Sequence, residues 1–189
     1  AHQACVRVCW SCSYSCVCTV GGCATFLGTD GACGVCAAWQ QLTVDERDTW
    51  SALPGGDDVV RRFKACGEFA RAHDIRLCFH PDQFVVLNSP RPDVVDRSIE
   101  ELEYQAHVAE WIGADVVNIH GGGVYGDKAA ALARFARNLN RLSDRVRQRL
   151  TVENDDTSYT PSDLFPLCRA ENIPSSTMCV IIVAIRMIC

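Results

Sequence analysis

Between residues 57 and 174 the chain alternates short apolar runs with amphipathic segments, and each completed run ends on a residue able to ligate a metal ion. Ile75 to Phe79 ends at His80, Asp115 to Ile119 at His120, and Leu150 to Val152 at Glu153, while Ile173 begins a fourth run. These runs have strand length, and the segments between them carry helix signals. Asp57-Asp58 can start a helix whose apolar face is Val59, Val60, Phe63, Cys66, Phe69 and Ala70. Pro92 opens a second helix over Asp93 to Trp111, with Val94, Val95, Ile99, Leu102, Ala106 and Ala109 as its buried stripe and Gly113 as its stop. A third is predicted from Lys128 to Arg147 through Leu132, Phe135, Ala136, Leu139 and Leu142, and a short fourth from Pro161 to Ala170. A strand–helix repeat of roughly 33 to 40 residues implies parallel strands with right-handed helical crossovers. A doubly wound sheet and a (β/α)8 barrel both satisfy it. The barrel is preferred, as an α/β partial TIM barrel, because polar residues recur at the C-terminal end of each strand, where that fold assembles its sites.

In such a barrel His80, His120 and Glu153 converge on one mouth. Two imidazoles and a carboxylate suit Mn2+, Zn2+ or iron. A single histidine at a strand end is commonly just a polar residue there, but three ligand types in the same structural place favour a metal site. In His80-Pro81-Asp82-Gln83-Phe84, Pro81 breaks the strand and Gln83 and Phe84 project from the loop, where an amide beside an aromatic ring can fill a gap in a base stack. A core position for Phe84 is the competing reading. His120-Gly121-Gly122-Gly123 permits close approach of backbone to a ligand or phosphate, or is simply a tight turn. Glu153-Asn154-Asp155-Asp156 gathers three acids that repel one another unless cations compensate, with a solvated loop start as the alternative for Asp155 and Asp156.

Composition bounds the rest. A chain of 189 residues with 48% hydrophobic and 22% charged residues is globular rather than disordered. The net charge of −5 lends no support to nucleic-acid binding. It does not oppose it either, since a carboxylate-lined metal site is acidic until filled. The apolar stretch Cys179 to Ile188 is too short to cross a bilayer and contains Arg186, and no signal-peptide pattern opens the chain, so a cytoplasmic location is expected. Eight of the thirteen cysteines fall between Cys5 and Cys36; an odd total without a secretory signal argues against a disulfide framework.

Three runs carry a resemblance more specific than any of these features. They are Cys78-Phe79-His80-Pro81-Asp82-Gln83-Phe84-Val85-Val86-Leu87-Asn88-Ser89-Pro90, Asn118-Ile119-His120-Gly121-Gly122-Gly123-Val124-Tyr125-Gly126-Asp127-Lys128, and Thr151-Val152-Glu153-Asn154-Asp155-Asp156. In content, order and spacing the chain from about Asp57 to Pro174 resembles the metal-dependent UV damage endonucleases. The resemblance implies a TIM barrel holding a cluster of divalent ions, first Mn2+ with Mg2+ or Zn2+ as alternatives. It implies hydrolysis of damaged double-stranded DNA on the 5′ side of UV photoproducts by a monomer acting in a prokaryotic cytoplasm. It assigns His80, His120 and Glu153 as catalytic metal ligands, and Gln83 and Phe84 as the pair that probes the duplex, with Phe84 in place of a tyrosine and so without its hydroxyl. It also assigns Lys128 a phosphate contact.

Outside that span the pattern changes. Residues 1–50 are a Cys-rich segment with no assigned structure. Cys9-Trp10-Ser11-Cys12 and Cys33-Gly34-Val35-Cys36 have zinc-ribbon spacing, opposed by Cys16, Cys18 and Cys23 between them; an out-of-frame origin is the other reading. Residues 51–174 form the endonuclease-like domain. In the tail 175–189 the family would continue with an Asp and then two adjacent His. One allowed codon set for the tail, regrouped by one base, restores that motif, so the tail is expected to be out-of-frame translation. Arg134, Arg137, Arg141, Arg145 and Arg147 make a basic stripe that could favour a DNA backbone, against the simpler reading of a solvated outer helix face. With three ligands instead of a full set, the chain as written is expected to be inactive or impaired. The rival functions are a sugar isomerase or epimerase on a related metal-binding barrel, and a non-catalytic zinc-binding module.

Overall fold

In the computed structural model the described residues are 4–9, 16–19, 22–24, 55–155 and 157–176. They form strands β1 (Ala4–Cys9), β2 (Cys16–Thr19), β3 (Gly22–Ala24), β4 (Ile75–His80), β5 (Val116–His120), β6 (Leu150–Glu153) and β7 (Ser175–Ser176). The helices among them are α1 (Gly56–Ala72), α2 (Pro92–Ile112), α3 (Lys128–Leu139), α4 (Asp144–Arg147) and α5 (Pro161–Glu171). The strands lie in the order β3-β2-β1-β4-β5-β6-β7. β1 runs parallel to β4, from Ala4 opposite Ile75 to Cys9 opposite His80. β4 is parallel to β5, and β6 to β7. β1–β2 and β2–β3 are antiparallel. The segment left unassigned from sequence therefore contains three strands. They escaped a reading built on strand–helix alternation because β1–β2 and β2–β3 pair antiparallel, outside the parallel strand–helix repeat.

By contacts the chain divides into two compact units, Ala1–Asp82 with Tyr104–Val117, and Gln83–Glu103 with Asn118–Cys189. In the first, α1 buries Phe63, Gly67 and Ala70, a spacing of four then three that keeps one helical face. Phe69, expected on that face, is exposed and stacks on His73 with ring centres 4.0 Å apart. The face is turned by Gly67, whose missing side chain lets α1 approach the backbone of α2: a Cβ there would lie 2.1 Å from the Ile112 carbonyl oxygen. Phe63 meets Trp111 beside this contact, ring centres 6.2 Å apart. Gly113, at φ +74°, ends α2 as expected, and Ala114 N–H returns to the Ala109 carbonyl at 2.8 Å. At the open ends of β4 and β5, Arg76 pairs with Asp115 at 2.7 Å.

The second unit packs Phe135, Leu139, Leu142, Val146, Leu150, Val152, Tyr159 and Leu164 into its core. All four residues of β6 are buried, the pattern of a parallel strand covered on both faces. The single helix expected over Lys128 to Arg147 is two. α3 stops at Leu139, and Ser143 caps the short α4 because Glu103 of α2 captures both its backbone N–H (2.9 Å) and its hydroxyl (2.6 Å). This interaction joins distant chain positions and leaves no periodic trace. The fourth strand begins at Ser175 rather than Ile173, because the Ile173 N–H closes the end of α5 on the Cys168 carbonyl (2.9 Å) and Pro174 has no N–H to offer.

α5 has a complete capping box: Thr160 and Asp163 satisfy each other's backbone N–H groups, and Pro161 fills the first helical position. Lys128 Nζ donates to the same Asp163 carboxylate at 2.9 Å. The ammonium, with the Thr160 N–H and hydroxyl, lowers the Asp163 pKa from 3.8 to about 2.

Two outcomes follow from these contacts. Gly67→Ala should lower unfolding stability by about 1–3 kcal/mol despite alanine's better helix propensity, because its Cβ meets backbone that moves only with α2. Urea denaturation checks it, with Lys64→Ala on the exposed face as the near-neutral control. For Asp163, a depressed folded pKa means its contribution is complete above pH 3.8 and disappears as pH falls through about 2. The stability gap between wild type and Asp163→Asn, measured from neutral to acidic pH, should close across that window and stay constant above it.

Candidate metal centre and its loops

β4, β5 and β6 each deliver their last residue to one cluster. His80, His120 and Glu153 each offer a ligand atom, and these atoms lie within 4.8 Å of one another. The Nδ1–H of His80 donates to the Pro81 carbonyl at 3.1 Å, which leaves Nε2 as the lone-pair nitrogen of that ring. His120 Nδ1 lies 3.6 Å from Glu153 Oε1.

Glu153 is the demanding member, because its carboxylate is only 3% exposed. A buried carboxylate is costly unless donors or cations surround it. A short relay supplies one donor. The Thr151 hydroxyl donates to Asn118 Oδ1 at 2.7 Å, which fixes the amide so that Asn118 Nδ2 donates to Glu153 Oε2 at 2.5 Å. Oε2 is thus held by protein, while Oε1 faces His120. Asn118 precedes His120 by two residues and Thr151 precedes Glu153 by two, so each supporting side chain lies on the same strand face as a candidate ligand, and the relay itself crosses from one strand to the next. That spacing was a usable signal, a polar residue placed two before a candidate ligand inside an apolar strand, and the sequence reading passed over both. A donor set of two imidazoles and one carboxylate, with the carboxylate buried and oriented, fits a divalent metal ion.

The segment after β4 has neither helix nor strand, yet it is anchored along its length. Gln83 and Phe84 are exposed, Phe84 at 75%, whereas Val85 to Ser89 are all buried. Phe84 is therefore not a core residue. Behind it, Ser98 Oγ accepts the Val86 N–H (3.0 Å), Asn138 Nδ2 donates to the Leu87 carbonyl (2.7 Å) and Arg134 Nε to the Asn88 carbonyl (2.9 Å). The Asn88 side chain is fully buried. Its Nδ2 donates to the carbonyls of Gly121 and Gly123, both at 2.8 Å, and lies 3.2 Å from the Tyr159 hydroxyl. Tyr159 itself donates to the Gly123 carbonyl at 3.1 Å. Gly122 has φ +80°, and a Cβ there would fall 2.2 Å from Asn88 Oδ1. The glycine run after His120 is thus a turn closed over an asparagine, with no room for a side chain at its centre.

The other expected residues have local duties. Lys128 pairs with Asp163, its ammonium 5.6 Å from the centre of the Tyr159 ring. Asp155 accepts hydrogen bonds from the turn that follows it. Burial raises its pKa, but hydrogen bonds from the Ser158 and Thr157 N–H groups, the Thr157 hydroxyl and the Tyr159 N–H outweigh this and lower it overall. Within the basic stripe, Arg141 pairs with Asp96 at 2.6 Å, Arg147 binds the Leu139 carbonyl at 2.9 Å, and Arg134 holds Asn88 as above. Arg134 and Arg147 are thus half-buried against loop and helix backbone rather than part of a fully solvated outer face. Asp156, the paired cysteines Cys12, Cys33 and Cys36, and the tail from residue 177 lie outside the described residues. No helix among the described residues is long and apolar enough to cross a membrane.

Comparison with known proteins places this geometry. Residues 56–177 match the family model of the UV-endonuclease UvdE. The UV DNA damage endonuclease of Bacillus velezensis is 38% identical over 117 residues, covering 60% of this chain and 37% of that protein. The Bacillus cereus protein of the same name is 35% identical over 115 residues, covering 59% and 36%. The crystal structure of SacUVDE superposes with a TM-score of 0.61 at 30% identity, over 72% of this chain and 45% of that one. The chain therefore spans little more than a third of the length of these curated relatives. Its α/β architecture is part of a TIM barrel, and the isomerase and zinc-module readings are not favoured. With the family model covering most of its length, the chain belongs to the UvdE family of UV endonucleases.

Proposed function

We propose that this chain carries metal-binding and duplex-reading parts of a metal-dependent endodeoxyribonuclease that hydrolyses DNA on the 5′ side of UV photoproducts. The observation carrying this reading is the group of His80, His120 and Glu153 at the ends of successive strands. In it His80, His120 and Glu153 would hold the ion, for which Mn2+ is the first choice and Mg2+ or Zn2+ the alternatives. When bound, the ion activates water and stabilises charge on the phosphate. Asn118 holds Oε2 of Glu153 and so sets how the carboxylate is turned. Gln83 and Phe84 probe the damaged duplex, the amide by hydrogen bonds and the ring by stacking on exposed base faces. Lys128 contacts phosphate in exchange for its bond to Asp163. The partner is damaged double-stranded DNA, met by a monomer in the cytoplasm.

Among the described residues three donors gather, which meets the needs of one ion but not of a cluster, so nicking of irradiated plasmid is expected to be weak. Binding is the sharper test. Calorimetric titration with Mn2+ should detect a site that His120→Ala or Glu153→Gln removes and that Asn118→Leu weakens about 10–100-fold. In gel-shift assays the chain should prefer irradiated over intact duplex, and Phe84→Ala should reduce that preference about tenfold, the loss of roughly one stacked base. Uptake of Mn2+ unaffected by either ligand variant would refute the metal assignment, and equal affinity for the two duplexes would refute the reading role of Phe84.

A further inference from the structure

We propose that Asn88 is a positioning residue, a pin that ties the segment carrying Gln83 and Phe84 to the glycine turn following His120, so that duplex-reading loop and metal ligand are set as one piece. The inference rests on the roles proposed above for those residues and goes beyond them. Nothing in the sequence reading singled Asn88 out.

The geometry is specific. Asn88 lies four residues after Phe84, within the buried run Val85 to Ser89 that anchors it. Its side chain leaves its own segment: both Nδ2 hydrogens are directed at carbonyls of Gly121 and Gly123, the first and third residues after His120. An amide that bridges two carbonyls one residue apart holds the turn between them at a fixed curvature. Gly122, at φ +80°, answers from the other side, since any Cβ would collide with Asn88 Oδ1. Tyr159 reinforces the pair by donating to the same Gly123 carbonyl.

The pin is asymmetric. Asn88 Oδ1 is buried with no hydrogen-bond partner, while its nitrogen is fully used. An orphaned buried acceptor is a standing cost, so asparagine does not serve here as a generic packing group. It is the donor end that matters, and an isosteric aspartate would set a carboxylate against two carbonyls. The backbone of Asn88 is fixed independently by Arg134, so the side chain works from a held base rather than following the turn.

The experiment compares wild type, Asn88→Ala and Tyr159→Phe, the last deleting only a hydroxyl, by two readouts. Hydrogen exchange follows the amides of 85–89 and 121–123, and calorimetry follows Mn2+ alone. In Asn88→Ala both segments should exchange about tenfold faster together, and the Mn2+ Kd should rise about tenfold. Tyr159→Phe should shift both in the same direction by less, and it carries the test should the alanine variant not fold. Faster exchange confined to one segment, or loosened segments with unchanged Mn2+ affinity, overturns the pin. Should wild type itself take up no Mn2+, the metal reading falls, and joint or separate loosening in the exchange data still decides whether Asn88 couples the two segments.

Discussion

A carboxylate excluded from water is the constraint to which the site answers. Glu153 sits at the end of a strand buried on both faces, and desolvating its charge is affordable only where donors and cations replace the lost solvent. One oxygen receives the Asn118 amide, itself held by Thr151, and the other faces the imidazole of His120. The arrangement divides the carboxylate into a structural half and a chemical half. A fully solvated glutamate would need neither support. The supporting pair shows that strand placement alone does not make a ligand; an oriented lone pair does.

The same logic extends to the loops. Exposed binding groups on irregular segments are useful only if the segment behind them is fixed, since every ordering step left until binding weakens it. Phe84 is the most exposed large apolar residue described, yet it is followed by five buried ones whose backbone is held by Ser98, Asn138 and Arg134. Rigidity here comes from side chains of helices α2 and α3 reaching loop backbone, not from secondary structure in the loop.

Much of this was legible in the sequence and some was not, for a consistent reason. The strands ending at His80, His120 and Glu153, the stop at Gly113 and the start at Pro161 rest on local signals: a strand run, a positive-φ glycine and a capping box. What failed depended on partners far along the chain. The break between α3 and α4 is imposed by Glu103, and the exposure of Phe69 by the close approach of Gly67 to Ile112; the late start of β7 is the exception, set locally by the hydrogen bond from the Ile173 N–H to the Cys168 carbonyl. In the site, the candidate ligands His80, His120 and Glu153 were visible because their chemistry is rare at strand ends. Asn118, Thr151 and Asn88 were not, because an amide or hydroxyl shows its role only through what it bonds.

The arginines complete the argument about recognition. An acidic chain with a basic helix invites the view that the helix supplies electrostatic attraction for a polyanion. Three of its five arginines instead have internal duties, on Asn88, on Asp96 and on the Leu139 carbonyl. An arginine committed to a carbonyl or a carboxylate must break that contact to meet a phosphate, so its contribution to attraction is reduced by the contact it gives up. Arg134 is the telling case, because its guanidinium holds in place the loop that presents Phe84. Discrimination in this part of the fold is therefore better sought in the shape and stacking of a braced loop than in net charge, and the acidic balance of the chain ceases to be an objection to a nucleic-acid partner.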